Sequence, residues 1–166
     1  MEYDNDRIIQ GTHRTEVICW VVFALINPLV NSLGIFPHQP MAWIVLLMIS
    51  LVVLPLYILY SKIIVPKLLF KEKYLFYGIS TLLFFFLIHY LLYLLYKIAG
   101  LFFSSGGQDY FLYSTVSITR ESVWIIINTI LAISIAYLRI NLDEKEKIET
   151  LQKENIYYKL RYFRTS

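Results

Sequence analysis

The chain has 166 residues, 58% of them hydrophobic, 17% aromatic and 16% charged, with a formal net charge of +3. Soluble domains carry about 45–50% apolar and about 25% charged residues, so this balance excludes an ordinary soluble domain and points to lipid as the solvent for most of the chain. The single cysteine, Cys19, excludes an internal disulfide, and its apolar setting reads as a buried inert thiol rather than a reactive one.

Four apolar runs follow one another: 17–36, 42–60, 74–96 and 122–138. Each is close to the roughly 20 residues that a helix needs to cross the hydrocarbon core. Helix is the expected form, because an open strand leaves its backbone groups unpaired in lipid. The first run reads as a retained span and not a cleaved signal peptide. It is long for an h-region, its leader carries Glu2, Asp4 and Asp6, and no small-residue cleavage site follows. Pro28 and Pro55 lie inside the first two runs, where each removes a backbone donor and is expected to kink its helix.

Lys and Arg set the orientation. Lys62, Lys67, Lys71 and Lys73 follow the second run, and Arg139, Lys145, Lys147, Lys153, Lys159, Arg161 and Arg164 follow the fourth. The segment after the first run has none, and the segment after the third has only Lys97 and Arg120. Both termini are therefore expected in the cytoplasm of an inner-membrane protein. Trp43, Tyr57, Tyr60, Tyr74, Tyr77, Tyr96, Trp124 and Tyr137 sit at predicted span ends and read as interface aromatics. The long outward segment around Gly106 and Gly107 reads as a solvated loop, in which Arg120 and Glu121 are the last charges.

Polar residues within spans are the internal pointer to function. Asn27, Asn31, His89 and Asn128 are the candidates, and the threading puts Asn31, His89 and Asn128 in the outer half of the membrane. Two readings stand side by side: hydrogen-bonding glue between helices, worth about 0.6 kcal/mol per contact, or one polar input pocket. His13, His38 and His89 are spread over three compartments and one cysteine cannot complete a ligand set, so no metal site is expected. No paired carboxylates, Ser/His/Asp set or phosphate loop is present either, so no catalysis is expected from this chain. Neither a cofactor nor a nucleic-acid partner is expected.

Residues 139–166 form a charged strip without Gly or Pro, continuing the fourth run. Ile148, Leu151, Asn155, Tyr158 and Tyr162 recur at 3-4-3-4 spacing, with Asn155 at a position that favours a two-stranded coil. A homodimeric coil through span four and the tail is one reading, and a solvated amphipathic helix is the other.

Tyr57 to Ser80, YILYSKIIVPKLLFKEKYLFYGIS, resembles the second-to-third span connection of LytS/YehU-type sensor histidine kinases. The matching features are an aromatic span end, Pro66-Lys-Leu-Leu-Phe70, and Lys-Glu-Lys-Tyr opening the next span. The tail KEKIETLQKENIYYKLRYFRTS resembles that family's linker. The resemblance implies a membrane input region over 1–138 and a cytoplasmic linker over 139–166. The family's phosphoacceptor histidine, nucleotide-binding asparagine and glycine-rich lid have no counterpart, so no catalytic residue carries over. The sequence thus leads to an all-α, four-span membrane bundle with a coiled-coil-like extension, acting as the input module of a two-component sensor kinase. A kinase core or response regulator is a partner only if the chain continues. The rival expectation is a free-standing membrane scaffold that binds a partner through its tail.

Overall fold

The computed structural model describes residues 14–26, 28–29, 40–101 and 115–165. All regular structure among them is helical. We name the helices α1 (residues 14–26, continuing at 28–29), α2 (Pro40–Leu59), α3 (Tyr74–Gly100) and α4 (Thr115–Thr165). A π-helical segment, Tyr60–Leu69, extends α2 without a break. Three helical stretches are long and apolar enough to cross a membrane: Trp43–Leu69, Tyr74–Gly100 and Ile118–Phe163.

Where the apolar runs end is the main difference from the sequence reading. The second helix does not stop at Tyr60 but continues to Leu69, taking Lys62 and Lys67 with it. The connection to α3 is only four residues. It closes as a Schellman turn, with Lys73 N–H donating to Leu68 O at 2.9 Å and Glu72 N–H to Leu69 O at 3.2 Å. Glu72 occupies the left-handed position with φ 58°, which for a residue with a Cβ costs about 1 kcal/mol.

The helices meet along a continuous aromatic chain. Trp20 contacts Phe23 at 5.4 Å, Phe23 contacts Tyr57 at 5.2 Å, Tyr57 contacts Phe84 at 5.3 Å, and Tyr60 stacks on Phe84 at 4.6 Å. This joins α1, α2, the π segment and α3. Helix α4 seals the core with Ile125, Ala132, Ile135 and Ala136, whose 3-4 spacing places them on one face. Ala132 and Ala136 are fully buried, so this face brings the α4 backbone close to its neighbours. Tyr57, Tyr60 and Tyr96, expected at the interface, are core residues instead. The most exposed apolar side chains of α3, among them Leu75, Leu83 and Phe86, point away from the other helices.

Candidate functional site: two polar clamps

Proline explains where the helices lock. In an α-helix the missing N–H of Pro28 frees the carbonyl of Ala24, four residues earlier. The buried Ser50 hydroxyl of α2 donates to that carbonyl at 2.9 Å. Pro66 does the same in the π segment, where bonds reach back five residues, as Phe70 N–H to Val65 O shows. The carbonyl freed in this register belongs to Ser61. Arg139 of α4 donates Nη2–H to it at 2.8 Å. A neighbouring helix thus satisfies the carbonyls freed by Pro28 and Pro66, the condition under which membrane helices tolerate proline.

Arg139 is the centre of the first clamp. Its other guanidinium nitrogen, Nη1, donates to Glu16 Oε1 at 3.0 Å. The same oxygen accepts from Trp20 Nε1 at 3.3 Å and lies 3.8 Å from Lys62 Nζ. Glu16 and Arg139 are largely buried, with side-chain exposures of 11% and 17%, whereas Lys62 is 46% exposed. One guanidinium therefore holds α1, the π segment and α4 together. In the same π segment the Tyr60 hydroxyl is within hydrogen-bonding distance of Tyr77 Oη at 2.9 Å and Thr81 Oγ1 at 3.0 Å, which ties in α3.

The second clamp lies near the N-terminal end of α4. Tyr96 Oη donates to Glu121 Oε1 at 2.9 Å, and the adjacent Arg120 donates Nε–H to it at 3.0 Å while Nη2 lies 3.0 Å away. The Glu121 side chain is 5% exposed. The sequence reading placed Glu121 in a solvated loop; it belongs to the first turns of α4 and faces the core. Eighteen residues separate Glu121 from Arg139, about 27 Å of helix at 1.5 Å per residue. That is close to the roughly 30 Å thickness of a hydrocarbon core.

Against Glu121 lies a cavity of about 20 Å³, also bordered by Ser50, Tyr57, Trp124 and Asn128. It has room for one water, which needs about 10–15 Å³. The Tyr57 hydroxyl is buried without a hydrogen-bond partner, with the Asn128 and Thr129 side chains as its polar neighbours.

Of the four expected input residues, Asn27 and Asn31 lie outside the described residues. Asn128 is buried and faces this cavity. His89 does not join it: His89 Nε2 pairs with Ser122 Oγ at 3.0 Å and its ring contacts Phe85 at 4.8 Å. Ser122 and Asn128 are six residues apart, which at 100° per residue puts them on different faces of α4. The cluster therefore divides, and its buried half is built around Glu121, a residue the span boundaries hid.

The expected coil positions Ile148, Leu151, Asn155, Tyr158 and Tyr162 are all exposed on α4, which runs helical to Thr165. Ile156, Tyr157, Leu160 and Phe163 are exposed as well, so apolar side chains extend beyond the 3-4-3-4 seam. Among the described residues no group of three or more His, Cys, Asp or Glu is placed to hold a metal ion. The chain matches no family model, no curated protein and no solved structure.

Proposed function

We propose that this chain is a membrane-embedded input and relay module, a four-span bundle that passes a change in helix packing to the cytoplasm through α4. The observation that carries this reading is the continuity of α4. One unbroken helix holds the Glu121 clamp, the Arg139 clamp and the exposed tail. A displacement at one clamp is carried along the rod, because sharp kinks arise at proline, glycine, π-bulges or inserted groups and α4 is α-helical throughout without proline or glycine. The tail extends about 39 Å beyond Arg139 at 1.5 Å per residue. The Lys-rich turn at Lys67–Lys73 and the basic tail support cytoplasmic termini.

In this reading the tail pairs with that of a second copy through Ile148, Leu151, Asn155, Tyr158 and Tyr162, and the module serves a sensor histidine kinase of the LytS/YehU type. The buried cavity beside Asn128 and the His89–Ser122 contact are the packing elements that a stimulus would perturb. Such a switch requires two packings within a few kcal/mol of each other. The apolar residues outside the seam, Ile156, Tyr157, Leu160 and Phe163, favour the second reading, a scaffold whose tail binds another protein.

Single cysteines at 147–162 in a Cys19→Ala background, oxidised in membranes, separate the two. The relay reading expects cross-linking between copies to peak at Ile148, Leu151, Tyr158 and Tyr162, and to redistribute when Glu121→Gln is introduced. A flat profile removes the dimeric coil. A periodic profile unchanged by Glu121→Gln removes the relay.

A further inference from the structure

Between α1 and α2 runs an apolar groove of about 400 Å³, walled by Val17, Val21 and Leu25 on one side and Leu51, Leu54 and Ile58 on the other. Its size is that of an ordinary ligand site, about 300–1,000 Å³. The groove begins at the Arg139 clamp, since Glu16 and Lys62 line the same cleft. Its walls therefore run from the charged end of the bundle toward the middle of the membrane. A single hydrocarbon chain lying along the helices fits this shape.

The charges at its mouth identify the headgroup. Among the described residues Glu16 is the one carboxylate lining the cleft, and Arg139 and the Trp20 indole already donate to its Oε1 at 3.0 and 3.3 Å. Lys62 stands farther off at 3.8 Å and is half-exposed. Arg14 is exposed, and at i, i+3 and i+7 it shares a helix face with Val17 and Val21. Two exposed cations, Lys62 in the groove lining and Arg14 on the same face of α1 as Val17 and Val21, thus lie at the end of an apolar groove where Glu16 is already paired with Arg139. We propose that the α1–α2 groove is a binding site for one anionic phospholipid, with an acyl chain between Val21 and Leu54 and the phosphate held by Arg14 and Lys62. The site rests on the membrane threading described above. Because Glu16 belongs both to the groove lining and to the Arg139 clamp, occupancy of the groove would bear on the helix that carries the signal.

Trp20 lines the groove and provides the readout. The full chain carrying Trp43→Phe and Trp124→Phe is reconstituted into phosphatidylcholine vesicles containing chain-brominated phosphatidylglycerol or, at the same mole fraction, chain-brominated phosphatidylcholine. Brominated phosphatidylglycerol is expected to quench Trp20 more strongly. Arg14→Gln with Lys62→Gln should abolish the excess, since each cation near an anionic surface favours binding by roughly five-fold. Lys62 also lies 3.8 Å from Glu16, so circular dichroism of the double variant, and quenching in Arg14→Gln alone, separate loss of lipid binding from loss of fold. Equal quenching by the two lipids overturns the site while leaving the threading intact. Absence of quenching by either lipid contradicts the threading itself, because it removes the α1–α2 face from the bilayer.

Discussion

Arg139→Gln is expected to destabilise the protein by about 3 kcal/mol, the lower end of the range for breaking a buried ion pair from one side. The substitution strips the Glu16 carboxylate of its 3.0 Å partner and takes from the Ser61 carbonyl the guanidinium that donates to it at 2.8 Å. Unfolding of the purified protein in micelles, followed by circular dichroism, measures the loss. Two further variants apportion it. Glu16→Gln combined with Arg139→Gln should cost less than the single substitutions added together, because the pair acts as a unit. Pro66→Ala returns an N–H to the π segment, in register to serve Ser61 O. In that background Arg139→Gln should be cheaper by about 1 kcal/mol, the net worth of one hydrogen bond. A cost for Arg139→Gln within the range of exposed ion pairs, below about 1 kcal/mol, would mean that the guanidinium is not a clamp.

The second large effect is expected at Glu121. Glu121→Ala removes the acceptor that Tyr96 Oη reaches at 2.9 Å and the carboxylate that lies 3.0 Å from Arg120, and should cost about 3 kcal/mol. Glu121→Gln keeps an acceptor for Tyr96 and loses only the charge, so its cost should fall well below that of the alanine. Tyr96→Phe removes one hydrogen bond to a charged group, about 1.5 kcal/mol. Combined with Glu121→Ala it should add little, because the bond it would remove is already gone. Additive losses from Tyr96→Phe and Glu121→Ala would show that the two side chains do not share one clamp.

How much of this was legible in the residues depended on whether a signal was local. The apolar runs at 42–60 and 74–96 and the unbroken helix after Ser122 come from composition and length alone, and helices cover all three, although the second continues past Tyr60 to Leu69 and α4 begins earlier, at Thr115. The clamps combine residues that are harmless one at a time. Glu16 lies in what reads as a polar leader, Glu121 beside a Gly/Ser-rich loop, and Arg139 among seven basic residues that a topology argument merely counts. Each becomes costly, and therefore informative, only once its neighbours in space are known. Tyr57 and Tyr60 illustrate the same limit. An aromatic near a span end faces either lipid headgroups or the core, and the run itself does not distinguish the faces.

The prolines are an intermediate case. A missing donor at Pro28 points by simple counting to Ala24 O, and that carbonyl is indeed where Ser50 docks. For Pro66 the count is ambiguous, since an α-helix frees Lys62 O and a π-helix frees Ser61 O. The register follows only from the structure. The division of the polar cluster was likewise out of reach, because the depth of His89 and Asn128 can be read from the threading but their direction around the helix axis relative to neighbours cannot.

Whether α4 crosses the membrane between its two clamps is tested most directly by single-cysteine labelling. Leu101→Cys, next to the end of α3 near the Glu121 clamp, and Gln152→Cys, in the tail beyond the Arg139 clamp, are each placed in a Cys19→Ala background in intact cells. A membrane-impermeant maleimide should label Leu101→Cys from outside and reach Gln152→Cys only after the cells are opened. Labelling of both positions from the same side would contradict the account.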